Sequence, residues 1–129
     1  MKKVLLLAVL TLSFISCDTD DENETVTPTV FDIEGKWLWS PSTDVSDANT
    51  MYEYRDGTRY TYYCDTAECD SIYWNSLDTS DAIPGTETYT FENDTLTLDG
   101  MDIAITFECD GGKVNFGNYY LWRVGSDCE

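Results

Sequence analysis

Histidine is missing from all 129 residues, and only seven lysines and arginines stand against 25 aspartates and glutamates. Without histidine the commonest general base near neutral pH is gone, and so is the usual nitrogen ligand of zinc. No CxxC pair supplies the alternative zinc spacing. The formal charge of −18 repels a polyanion, so no nucleic-acid partner is expected. There is no GxSxG elbow, glycine-rich phosphate loop or HExxH pair. Carboxylates are numerous enough to leave an acid-pair hydrolase as the least favoured reading. No catalytic residue is singled out, and an enzyme is not expected. No cofactor and no metal are expected either. Asp65, Glu68, Asp70, Asp78 and Asp81 lie near one another in the sequence, but the calcium-loop pattern with its internal glycine is absent. No apolar run reaches the ~20 residues of a membrane span.

What is present begins with a leader. Lys2 and Lys3 precede a short apolar stretch, Val4 to Leu12, followed by small residues up to Ser16. That layout is a secretory signal, residues 1–16. The segment Phe14-Ile15-Ser16-Cys17 resembles a bacterial lipobox, which implies cleavage before Cys17 and lipidation of its sulfur. Several acyl chains on one residue anchor durably, at about 0.8 kcal/mol per buried CH₂. Asp18, Asp20, Asp21, Glu22 and Glu24 follow, too polar to fold. They make residues 17–30 a tether and resemble the acidic export signal of surface lipoproteins in Bacteroidota. The expected location is the outer membrane, lipid-anchored and facing the cell surface, with the periplasmic face as the alternative. Losing Lys2 and Lys3 leaves five basic against 25 acidic residues, so the charge moves from −18 to −20.

Residues 31–129 support one modest core. Alternating apolar and polar positions, with tight-turn dipeptides between them, predict about eight short strands in an all-β antiparallel meander that closes into a barrel. Asp56-Gly57, Asn93-Asp94 and Asp99-Gly100 mark hairpins. The clearest strand is Met101 to Cys109, with Met101, Ile103, Ile105, Phe107 and Cys109 on one face. Trp37, Trp39, Tyr52, Tyr54, Tyr60, Tyr62, Tyr89, Phe91, Ile103, Ile105 and Phe107 are the expected inward residues. Such bulk favours a filled interior over a cavity. Residues 64–86 form one long irregular segment, read as holding a short helical turn or serving as a lid. Excluding Cys17, four cysteines remain in an exported chain: Cys64, Cys69, Cys109 and Cys128. They permit three pairings, which sequence alone does not decide. The expectation is Cys64–Cys69 with Cys109–Cys128.

Gly35-Lys36-Trp37 in the first strand resembles the Gly-x-Trp signature of lipocalins, and Arg123 stands in the last strand where that family has an arginine. The resemblance, over residues 33–124, is to lipocalin-like domain lipoproteins of Bacteroidota. It implies that Gly35, Trp37 and Arg123 are structural, the arginine lying over the indole and closing one barrel end. The chain is shorter than classical lipocalins and lacks their long C-terminal helix.

The function favoured at this level is a membrane-anchored binding module for a small apolar or sugar-like ligand. Its candidate contacts are Tyr52, Tyr54, Tyr62, Tyr73, Trp74 and Tyr89, with an opening expected beside Tyr73 and Trp74. The alternative is a surface lipoprotein with a filled barrel that engages an outer-membrane protein partner or a glycan.

Overall fold

The computed structural model describes residues 29–129. The leader (1–16), Cys17 and the tether as far as Pro28 lie outside the described residues. The chain folds as nine antiparallel strands: β1 (Gly35–Trp39), β2 (Thr50–Arg55), β3 (Thr58–Tyr63), β4 (Glu87–Glu92), β5 (Thr95–Leu98), β6 (Met101–Ala104), β7 (Thr106–Glu108), β8 (Lys113–Asn115) and β9 (Tyr120–Arg123). Their order in the sheet is β6-β5-β4-β3-β2-β1-β9-β8-β7, and β1 pairs with β9. The sheet curls into a nearly closed barrel. Its two edge strands, β6 and β7, follow each other in the chain with only Ile105 between them. The single strand expected over 101–109 is therefore bent at Ile105. Its first half pairs with β5 and its second half with β8. One bent strand counted as two turns the expected eight strands into nine.

Three hairpins are closed by two residues each, all with positive φ: Asp56 (49°) and Gly57 (77°), Asn93 (51°) and Asp94 (57°), Asp99 (45°) and Gly100 (84°). This backbone matches the right-handed twist of the flanking strands. It also fixes register, so residues directly opposite each other share a face. Inside the barrel lie Trp37, Leu96, Val114 and Leu121, fully buried, with Tyr54, Tyr89, Leu98 and Ile105 around them. Each such side chain contributes about 1.5–3 kcal/mol by leaving water.

One expectation about facing is corrected. Tyr60 and Tyr62 point outward, because β3 pairs Thr61 with Tyr52 and Arg59 with Tyr54. Two inward residues on β2 make their opposite residues inward, so the intervening tyrosines take the other face. Met101 keeps the expected face, opposite Leu98, but is 67% exposed because it directly follows the Asp99-Gly100 turn at the barrel rim. Cys109 leaves the strand with φ 52° and joins a tight turn ending at Gly111.

The outward residues build a second apolar cluster of Met51, Tyr62, Cys64 and Trp74, with Leu38, Tyr60 and Tyr73 against it. Trp74 comes from helix α1 (Ser71–Ser76), the ordered part of the long segment. Asp70 caps the helix by accepting a hydrogen bond from the Tyr73 amide. At its other end the Lys36 ammonium donates to the carbonyls of Trp74 (3.2 Å) and Leu77 (2.6 Å), where the helix dipole favours a cation. The helix thus packs against the barrel wall, not across its opening.

Arg123 fixes one barrel end. The Arg123 guanidinium sits 4.2 Å from the centre of the Trp37 ring. It donates to the carbonyls of Asp32 (2.9 Å), Glu34 (3.0 Å) and Gly111 (3.2 Å). The Trp37 indole N–H donates to the Ile33 carbonyl at 2.6 Å. A side chain on Gly35 (φ 117°) would place its Cβ 2.8 Å from Arg123 Nη1, so glycine keeps the space open. Disulfides link Cys64 to Cys69 and Cys109 to Cys128. The second ties the C-terminal tail to this same end.

Replacing Arg123 with Met removes the ring contact and leaves three carbonyls without their donor. Urea unfolding should show a loss of about 2–4 kcal/mol, against less than about 1 kcal/mol for the exposed Arg55→Ala. Loop length ranks the disulfides. Replacing Cys109 and Cys128 with Ser, across a separation of 19 residues, should cost about 3 kcal/mol. Replacing Cys64 and Cys69, across 5, should cost about 2 kcal/mol in the same measurement.

Candidate functional site

The opposite end of the barrel is built differently. Trp39, Thr50, Tyr52 and Tyr63 lie on the inward face at the ends of β1, β2 and β3, with Trp39 paired to Thr50 and Thr50 to Tyr63. Trp39 and Tyr52 are half-buried and Tyr63 is 59% exposed. With Asn49 and Cys64 they line a concavity of about 530 Å³. On another wall of the mouth, Phe116 and Tyr119 stack with ring centres 4.7 Å apart. The barrel does not continue this concavity inward as a tunnel. Trp37, Leu121, Val114 and Leu96 occupy the interior and expose none of their surface.

Beneath Tyr52 lies a charged pair inside an otherwise apolar barrel. Arg59 sits 4.5 Å from the centre of the Tyr52 ring and pairs with the Glu87 carboxylate, its register partner on β4. The Arg59 side chain is mostly buried, and its Nε has no hydrogen-bond partner. Glu87 reaches solvent where β4 begins. Burial raises the pKa of Tyr52, Tyr54 and Tyr119, and Arg59 opposes that rise for all three. Their shared sensitivity to Arg59 places these phenols around one guanidinium.

The six residues singled out in the sequence do not form one site. Tyr52, Tyr54 and Tyr89 are inside the barrel; Tyr62, Tyr73 and Trp74 are outside it, under and within α1. The sheet separates the two groups. Tyr54 and Tyr89 are buried and pack edge to face at 5.1 Å. The Tyr89 hydroxyl hydrogen-bonds to Glu34 at 3.1 Å, toward the Arg123 end. Burial, reinforced by that bond, pushes the Tyr89 pKa up to about 12. Tyr62 donates to the buried Glu53 carboxylate at 2.6 Å, and its pKa is raised by burial first and by Glu53 second. Trp74 is fully buried, whereas Tyr73 borders a concavity on the outer side of the barrel. Of the six, Tyr52 alone lines the mouth concavity.

Trp39, Asn49, Thr50 and Tyr63 complete the concavity, and Arg59 and Glu87 support it from below. Sequence reasoning did not place these residues in a site, although a signal for Arg59 existed. The two-residue Asp56-Gly57 turn sets Arg59 opposite Tyr54, so a reading with Tyr54 inside puts Arg59 inside too.

Outside the barrel, a wider concavity of about 1,070 Å³ runs beside the Cys64–Cys69 bridge, between the 46–49 loop and α1, with Ile72 77% exposed at its border. Asp78 and Asp81 of the long segment are used in a turn. Asp78 accepts from the Ser80 amide and hydroxyl, and Asp81 accepts from the Asp78 amide. Among the described residues no three histidine, cysteine, aspartate or glutamate side chains converge to hold a metal. Comparison with family models, curated proteins and solved structures returned no match to this chain.

Five of the nine tyrosines (52, 54, 62, 89 and 119) have raised pKa values in the fold. An unfolded tyrosine ionises near pH 10, so above that pH the unfolded chain loses protons that the native state keeps. Stability should be at its full value below about pH 10 and fall as pH rises toward 12. An alkaline titration followed by tyrosinate absorbance should show these five ionising late, together with loss of β-sheet circular dichroism. Ionisation of all nine near pH 10 with the sheet intact would contradict the burial described here.

Proposed function

We propose that this protein is a lipid-anchored envelope protein whose barrel is a binding module, with a small ligand held at the open mouth beside Trp39 and Tyr52. The observation that carries the reading is the uncharged aromatic lining of the barrel mouth. Arg123 and the Cys109–Cys128 bridge tie the other end together, and a concavity of about 480 Å³ there, bordered by Phe31, Phe91 and Phe107, also holds Asp94. The mouth ends in half-exposed aromatic rings around a concavity of about 530 Å³. Binding sites for small molecules favour concave, aromatic-lined surfaces of about 300–1,000 Å³ with a few fixed polar groups. The lipobox-like segment ending at Cys17 and the acidic stretch behind it support anchoring at the outer membrane, facing the cell surface. The likeness to lipocalin-like lipoproteins in Gly35, Trp37 and Arg123 supports the same reading. A second reading draws on the filled interior and the exposed Ile72 on the outer side: a surface lipoprotein that engages an outer-membrane protein through its outer wall.

Both parts of the proposal are testable. Cys17→Ser should move the protein from the membrane fraction to the soluble fraction, and a variant that stays in the membrane would refute the anchor. In a thermal-shift screen of small apolar and sugar probes, ligands that stabilise the protein should lose their effect in Trp39→Phe and keep it in Tyr73→Ala. At a hundredfold excess over Kd the expected stabilisation is about 2.7 kcal/mol. Stabilisation unaffected by Trp39→Phe would move the site elsewhere. A screen without stabilisers would favour the protein-partner reading.

A further inference from the structure

Resting on the binding-module reading, we infer that the ligand class of the mouth is a neutral saccharide. A quarter of the chain is charged, yet none of the six residues lining this concavity carries a charge. The lining is made of one indole, two phenols, one carboxamide and one aliphatic hydroxyl, together with the half-cystine Cys64. Sugars present apolar C–H faces that lie against aromatic rings, and hydroxyls that both donate and accept hydrogen bonds. Trp39, Tyr52 and Tyr63 supply the ring faces. Asn49 supplies the polar edge. Its Oδ1 accepts from the Thr50 hydroxyl at 2.9 Å, while its amide group is a donor on an exposed side chain.

Other ligand classes fit less well. An acyl chain needs depth, and the interior below the mouth is occupied by Trp37, Leu121 and Val114. On the rim it would also leave the Asn49 amide N–H groups desolvated without a partner. An anion meets a chain of charge −18 and the Glu87 carboxylate close by. A cation finds no carboxylate in the lining and meets Arg59 behind Tyr52. The Arg59–Glu87 pair brings no net charge to the site. It acts as a positioning pair: the guanidinium holds the inner face of the Tyr52 ring.

The test uses the full isotope-labelled chain and the indole N–H signals of its four tryptophans. Maltose, cellobiose, lactose and mannobiose are the neutral probes; glucuronate and dodecanoate are the anionic and apolar ones. A neutral disaccharide should shift the Trp39 indole and leave Trp74 unmoved. Glucuronate and dodecanoate should leave both in place. Trp39→Leu and Asn49→Ala should each weaken the sugar by about tenfold, equivalent to about 1.4 kcal/mol, and Ile72→Ser should not. Asn49 is exposed, so its variant keeps the test valid if Trp39→Leu fails to fold. An affinity unchanged in Asn49→Ala overturns the assignment of the polar edge. Dodecanoate or glucuronate shifting Trp39 with no sugar doing so overturns the saccharide inference and leaves the mouth as a binding site. If no probe shifts Trp39, both the inference and the mouth site fall.

Discussion

The guanidinium of Arg123 holds one end of this barrel together. It lies over Trp37 and bonds to carbonyls from the segment before β1 and from the turn before β8. The last strand, the first strand and the entry of the chain are thereby fixed at one point. The arrangement depends on two neighbours. Gly35 leaves room for the guanidinium, and Ile33 holds the indole through its carbonyl. Burial draws the Arg123 pKa down while Asp32 opposes it, as expected of a cation partly removed from water but still paired. In a chain with so few cations, the others among the described residues are also committed. Lys36 holds the end of α1, Arg59 supports Tyr52, and Lys113 lies 4.5 Å from the Tyr120 ring and bonds to the Glu129 carbonyl. Arg55 alone is spread loosely between two carboxylates on the surface.

With the interior packed, inward-facing rings meet solvent at the two ends: Trp39, Tyr52 and Tyr63 around an uncharged concavity at the mouth, and Phe91 and Phe107 beside Asp94 at the Arg123 end. Filling the barrel with Trp37, Leu96, Val114 and Leu121 stabilises it and removes the deep pocket that a wider barrel of this kind provides. What survives is a shallow neutral rim above a compensated charge pair. The second cluster adds stability from the other side. Trp74, Tyr62 and Met51 bury the outer wall of β1–β3 beneath α1, which lets a strand carry aromatic residues on both faces.

Much of the fold was legible in the sequence, because tight turns leave an unambiguous mark. Asp56-Gly57 and Asp99-Gly100 announce their hairpins, and Met101 to Phe107 alternates as a half-buried strand must. The facing of β3 was harder to read. In Thr58-Arg59-Tyr60-Thr61-Tyr62-Tyr63 apolar residues occupy both phases, so alternation alone does not choose a side. The register imposed by the Asp56-Gly57 turn does choose, and it excludes Tyr60 and Tyr62 from the face that holds Tyr52 and Tyr54. The candidate site was less legible for a related reason. Tyr73 and Trp74 sit in a long segment whose position no local pattern fixes. Only the tertiary contact with Met51 and Tyr62 shows that they cover a wall. Trp39 and Tyr52 could be assigned to the barrel lining, but their place at the rim follows from where the strands end.

Hydrogen exchange at the tryptophan indoles tests the central claim most directly. The Trp37 N–H is fully buried beneath Arg123 and bonded to Ile33, while Trp39 lies half-buried at the mouth two residues away. Trp37 should exchange only through global unfolding, with an opening free energy equal to that from urea, and Trp39 should exchange through local fluctuation, orders of magnitude faster. Comparable fast exchange at both indoles would contradict a Trp37 locked in the core beneath Arg123 and a Trp39 presented at the mouth.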